Sequence, residues 1–290
     1  MKIKFHGVRG SYPKPGPSTV RYGGNTTCVS ISKIVDNKVQ RIIIDSGTGS
    51  INLGTEIVKN YIEGKEDLDI SMLFTHLHPD HTQGFSFFAP NYFKECSMKL
   101  MGMRTLKKHI GMILEESMLP PTFPIEYKDL KSQRKHYELK DGITFKAKYM
   151  EIEVMQAFAP SHPQQGALYY KITDPDTNRS VACIWDLESK IGGDKAVEKF
   201  STGCNVMIHD TQYTADEYNS DKMIVQGFGH STYPMAVENA NLAKVKDKLI
   251  CTHFNPAHSD EKLDSIAEEL KSQETGYEIL LAQEGMEIKV

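Results

Sequence analysis

Short runs of branched and aromatic residues recur along this chain, separated by polar turns and by longer stretches with helical spacing. In the N-terminal part, Lys2–Phe5, Thr27–Ile34, Val39–Ile44 and Ile70–Thr75 have the length and apolar content of strands, with Asp36-Asn37 as the turn between the second and third. A helix is predicted over Asn52–Ile62. Further on, Ala167–Ile172, Arg179–Trp185, Asn205–His209 and Lys248–Thr252 repeat the strand pattern, and several of these runs meet a His or Asp at their tips. Helices are predicted over Asp194–Phe200, over Pro234–Lys244, which Pro opens, and over Asp260–Gln273, which Ser259 caps. Thr105–Met118 also reads as a helix, ended by Leu119-Pro120-Pro121-Thr122-Phe123-Pro124 as a stiff extended loop. The alternation gives an α/β fold. No Ser/Gly linker or low-complexity tract divides it, so one domain over residues 1–290 is expected.

Composition narrows the class. With 39% hydrophobic and 25% charged residues, 290 residues can bury a sizeable core. No stretch approaches the roughly 18 apolar residues of a spanning helix. The start, Met1-Lys2-Ile3-Lys4-Phe5, enters a strand-like run without a signal-peptide core, so a cytoplasmic protein with no membrane partner is expected. The five cysteines, Cys28, Cys96, Cys183, Cys204 and Cys251, lack C-x-x-C spacing, which argues against a disulfide framework or a thiolate zinc site. A formal charge of −4 without a long basic run disfavours long nucleic acid as a partner, although bound metal ions would add local positive charge.

The densest chemistry follows the apolar run Ile70–Phe74, in Thr75-His76-Leu77-His78-Pro79-Asp80-His81. Imidazole and carboxylate are the usual ligands of zinc and neighbouring divalent metals, and two ligand pairs this close can feed two ions side by side. In an extended segment His76 and His78 share a face. Pro79 disfavours a helix before it, and a turn beyond it lets Asp80 and His81 face a second ion. Two ions need more than four protein ligands, and the chain offers further ones. His162 stands in Ala159-Pro160-Ser161-His162-Pro163, Asp186 follows Val181–Trp185, and His253 follows Leu249–Thr252. The pieces Gly7–Gly10 and Gly23-Gly24 lack the Lys-Ser/Thr of a P-loop, so tight turns bordering a cleft explain them. His6, His109 and His136 have no motif around them and read as structural or solvated.

His76 to His81 matches the H-x-H-x-D-H motif in full, and here the chain resembles the metallo-β-lactamase fold superfamily. The resemblance implies an αββα four-layer sandwich of two mixed β-sheets flanked by helices. It also implies His76, His78 and His162 on one divalent ion, Asp80, His81 and His253 on the other, and Asp186 bridging both. His209-Asp210-Thr211 with Gly229-His230-Ser231-Thr232 looks like the phosphodiesterase branch that includes ribonuclease Z, in which such a histidine pairs with an acidic residue near the scissile phosphate. Gly7-Val8-Arg9-Gly10-Ser11 and Tyr22-Gly23-Gly24-Asn25-Thr26 are also similar to hydrolases of this fold. Two departures stand out. The bridging position reads Trp185-Asp186-Leu187 where the branch has Gly-Asp-Thr, which leaves Asp210 as a rival for the bridge. The long Gly/Pro-rich insertion with which ribonuclease Z grips transfer RNA is absent, which favours a smaller substrate.

The expected protein is therefore a dinuclear hydrolase, with zinc, manganese or iron as the metal, acting on a small or nucleotide-derived phosphodiester through a hydroxide shared by the ions. Asp80, His230 and Asp210 are the expected catalytic side chains. His230 would also contact substrate, and His258 would do so at the same mouth, unless Pro256–Asp260 is simply a helix-capping turn. A thioester or lactam hydrolase on the same metals is the alternative, followed by a metal-binding sensor without turnover. The Leu119–Pro124 loop and Tyr92-Phe93 could wall the cleft or form a subunit contact in a homodimer.

Overall fold

The computed structural model describes residues 1–104, 108–157 and 166–290. Its first half runs β1 (Lys2–Gly7), β2 (Cys28–Val35), β3 (Lys38–Ile44), α1 (Gly49–Ile62), β4 (Asp69–Leu73), the short α2 (Pro79–Thr82), β5 (Ser97–Gly102), α3 (Ile110–Ser117) and β6 (Gln133–Glu138). The second half runs β7 (Thr144–Ala147), β8 (Met150–Ala157), β9 (Ala167–Asp174), β10 (Arg179–Ile184), α4 (Lys195–Ser201), β11 (Val206–Asp210), α5 (Ala215–Tyr218), α6 (Tyr233–Leu242), β12 (Lys248–Thr252), α7 (Asp260–Lys271), β13 (Glu278–Leu281) and β14 (Glu287–Lys289). The strands form two seven-stranded mixed sheets, ordered β14-β1-β2-β3-β4-β5-β6 and β13-β12-β11-β10-β9-β8-β7.

The period of two along each strand builds the layers. On β3, Ile42 and Ile44 join the core between the sheets, together with Leu73, Leu168, Tyr170, Cys183 and Ile208, whereas Ile43 faces the other way. Ile43 packs with Ile70, Met72, Leu53 and Ile57 under α1. The second sheet carries α6 and α7 on its outer side, whose Ala236, Ala240, Leu263 and Ile266 close that layer. This is the αββα sandwich. Among the described residues, no helix is long and apolar enough to cross a membrane.

Element ends follow their caps. Asp194 accepts from the Ala196 and Val197 amides, Thr232 from Met235 and Ser259 from Lys262, each satisfying a donor that the first helical turn leaves open. The helix expected from Thr105 starts only at Ile110, capped by the His109 side chain, while residues 105–107 lie outside those described. Leu119–Pro124 is not extended. Its chain folds back, and the Leu119 carbonyl accepts from Thr122 and Phe123. Edge strand β6, Gln-Arg-Lys-His-Tyr-Glu, lies mostly exposed, which explains why apolar periodicity does not reveal it.

His6 sits buried on β1 with Nε2 2.9 Å from Ser30 Oγ. Burial, aided by Arg41 and Lys4 against Glu56, lowers its pKa from 6.5 to about 3. The unfolded chain therefore takes up this proton first as the pH falls, and stability is lost between those two values, by at most about 1.4 kcal/mol per pH unit. His6→Gln, which cannot ionise, should flatten that acid limb in urea titrations of the metal-free protein; an unchanged limb would show that His6 does not cause it.

Candidate metal centre

Three strand tips turn sharply into one place. Asp45 after β3, Asp186 after β10 and His253 after β12 all have left-handed backbone, with φ of 60°, 57° and 62°. For residues other than glycine each such turn costs on the order of 1 kcal/mol, so packing and hydrogen bonds must impose it. The fourth contributor is the segment after β4. His78 is extended at ψ 155°, Pro79 opens α2, and that one turn brings Asp80 and His81 inward.

The side chains converge on the Asp186 carboxylate. Its Oδ1 lies 3.2 Å from both His81 Nε2 and His253 Nε2, and its Oδ2 lies 3.4 Å from His76 Nε2. Asp80 Oδ2 is 3.3 Å from His81 Nε2 and 3.4 Å from His253 Nε2, and the two imidazole nitrogens are themselves 3.3 Å apart. Donor atoms of Asp80, His81, Asp186 and His253 thus fall within 4.8 Å of one another, and so do those of His76, His78 and Asp186. Asp186 belongs to both sets and offers each a different oxygen. Asp210 has other commitments: Oδ1 accepts from the Gln212 amide at 3.0 Å, and Oδ2 accepts from the Leu187 amide at 3.3 Å and from His230 Nδ1 at 2.8 Å.

A nitrogen and oxygen donor set of this kind fits divalent zinc, manganese or iron. The electrostatics agree with a site built around cations. Burial opposes charge on His81, yet Asp186, Asp80 and Asp45 outweigh it and hold its pKa well above the usual histidine value. Burial likewise opposes charge on His253, but Asp186, Asp80 and Asp210 raise it to about 9. On His76 burial wins, reinforced by His81 and His78, and its pKa lies well below the ordinary value. Asp80 is pulled far down by His81 and His253 despite its burial.

Neighbours that sequence reasoning missed orient these groups. Asp45 accepts from the Thr75 amide and hydroxyl at 2.8 Å each, from His81 Nδ1 at 2.8 Å and from the Trp185 indole at 2.9 Å. It fixes His81 with Nε2 toward the cluster. Asp45 carries the signal that found Asp186, an acid at the tip of an apolar strand, Ile42-Ile43-Ile44-Asp45. The Ser11 amide donates to Asp80 Oδ2 at 2.8 Å, and buried Arg9 donates to the carbonyls of Gly23, Asn255 and His258. The Gly7–Ser11 segment therefore does border the cleft. Glu188 accepts from the Gly227 and Gly229 amides and from the Tyr218 hydroxyl, which shapes the turn leading into His230.

The His230 ring stacks on His253 at 5.0 Å and shares a donor cluster with Asp186, Asp210 and His253. His209 stays apart, held by the Asp210 carbonyl and Asn239. His258 also stays apart from the donors; its Nε2 pairs with Glu217 Oε1 at 2.8 Å just before the Ser259 cap. His162 lies outside the described residues.

No family model matches the chain, and no curated protein matches it in sequence. Solved structures do match in shape. The metallo-β-lactamase fold protein YhfI from Bacillus subtilis aligns with a TM-score of 0.68 at 15% identity, over 99% of this chain and 98% of that one. Yeast PDE1 aligns at 0.65 and 16% identity over 100% and 99%. The short form of human tRNase Z, ELAC1, aligns at 0.62 and 18% identity over 100% and 99%. The chain has the metallo-β-lactamase fold.

In the metal-free protein the raised pKa of His253 stabilises the fold fully below 6.5, and that contribution is lost as the pH rises through about 9. A metal ion held by His81 and His253 would displace the protons on them. Zinc binding near pH 7 should therefore release protons into weak buffer, and its apparent affinity should climb up to about pH 9. Binding without proton release would contradict this charge arrangement.

Proposed function

We propose that this protein is a dinuclear metal-dependent phosphodiesterase acting on small or nucleotide-derived substrates. His76, His78 and His162 would hold one ion and Asp80, His81 and His253 the other, with Asp186 available to both. Two divalent ions in these positions would supply Lewis acidity for a phosphoryl oxygen and lower the pKa of a water from 15.7 to about 7. Zinc, manganese and iron all suit imidazole and carboxylate donors of this kind.

The observation that carries the phosphodiester assignment is the buried His230–Asp210 pair beside these donors, with Nδ1 2.8 Å from Oδ2. Asp210 orients the ring through its Nδ1. His230 can then donate from Nε2 to a phosphoryl oxygen or to the departing alkoxide, a contribution of about 10² to 10⁴ in rate. With Asp210 engaged here and by two amides, the bridging role falls to Asp186. Phe228, 54% exposed and two residues before His230, offers an aromatic face that suits stacking of a nucleobase. The presence of a tRNase Z among structures of the same fold agrees with phosphodiester chemistry. Five free, buried cysteines suit a cytoplasmic setting.

Zinc- or manganese-loaded protein should hydrolyse bis(p-nitrophenyl) phosphate, and His230→Ala should lower kcat by about 10² or more with unchanged metal content. Loss of metal from that variant would refute the role given to His230. Faster turnover of a thioester or a β-lactam than of any phosphodiester would refute the substrate class.

A further inference from the structure

The histidines of the centre differ in what holds their second ring nitrogen. His81 Nδ1 has Asp45, His230 Nδ1 has Asp210, and His76 Nδ1 lies 3.2 Å from Thr75 Oγ1. His253 Nδ1 is fully buried without a hydrogen-bond partner; Asp210 Oδ2, 4.0 Å away, already accepts from His230. A second buried atom in the same condition is Gln212 Oε1. The two face one spot. A Cβ on Gly10 would lie 2.5 Å from His253 Nδ1 and 2.3 Å from Gln212 Oε1, so the space between them exists because residue 10 has no side chain.

We infer that Gln212 is the positioning residue for His253, its Oε1 accepting from the Nδ1–H, directly or across one water, and so presenting Nε2 to the ion. The inference rests on the two-ion reading above. The orientation of the amide is set from its other end. Gln212 Nε2 donates to Ser11 Oγ and to the Tyr213 hydroxyl, both at 3.2 Å, which points Oε1 away from those acceptors. Ser11 in turn donates its amide to Asp80, so one chain of hydrogen bonds sets two ligands of the same ion. Gln212 is a neutral amide at this position, in contrast to the Asp45 carboxylate behind His81. Partners of this kind commonly change metal affinity by about 10- to 100-fold.

The test is zinc affinity and stoichiometry, measured by competition with a chromophoric chelator on stripped wild-type, Gln212→Met and Gln212→Glu protein. Thermal unfolding of the metal-free forms checks that each folds. Gln212→Met should bind one zinc as wild type does and the second about 10- to 100-fold more weakly. Gln212→Glu, which keeps an acceptor but loses the amide donors, should stay within a few-fold of wild type. Two tight zinc ions in Gln212→Met would overturn the assignment. An equal loss in Gln212→Glu would also overturn it, because the residue would then act through its donors; that variant decides alone should Gln212→Met not fold. Wild type that binds fewer than two zinc ions removes the two-ion reading itself, and this assignment with it.

Discussion

Asp186 carries a buried carboxylate to a point where three imidazole nitrogens stand within 3.4 Å of its two oxygens. An isolated buried carboxylate would cost many kcal/mol, and positive charge beside it, from protonated imidazole or from bound cations, offsets that cost. The rest of the molecule reads as the means of enforcing this arrangement. Two sheets pack face to face so that β3, β4, β10, β11 and β12 deliver their ends to one edge of the sandwich. Three of the delivered residues then bend through left-handed backbone that their side chains would not otherwise choose.

Rigidity at the centre comes from a layer of polar residues behind the donors. Asp45 collects four donors and places His81; the Ser11 amide places Asp80; Asp210 places His230. The arrangement links the N-terminal loop, both sheets and the Gly229-His230 turn, so a change at Gly10 or Trp185 is felt at the centre although neither offers a metal ligand. Glu188 extends the same logic outward by fixing the two glycine amides on either side of Phe228.

Much of this was legible in the sequence where an apolar run ends on a ligand. His76, His78, Asp80, His81, Asp186 and His253 come together as the spacing and the resemblance implied, and Asp210 with His230 forms the neighbouring pair. Of the orienting residues, Asp45 carried the same strand-tip signal as Asp186, whereas Gln212 and Glu188 act through contacts with segments distant in sequence and belong to no local motif. His258 shows the opposite failure: it follows His253 closely in sequence, but its ring turns to Glu217 and away from the donors. Strands β6, β7 and β14 were invisible for a simpler reason. They are short or largely exposed, and their side chains carry too little apolar periodicity to stand out.

The central claim is that one carboxylate, Asp186, is shared by two ions. Anomalous diffraction from zinc-soaked crystals, collected on both sides of the zinc edge, tests it most directly. The account predicts two zinc peaks flanking Asp186, one against His76 and His78 and the other against Asp80, His81 and His253. A single peak, or a second ion bridged by Asp210 in place of Asp186, would contradict it.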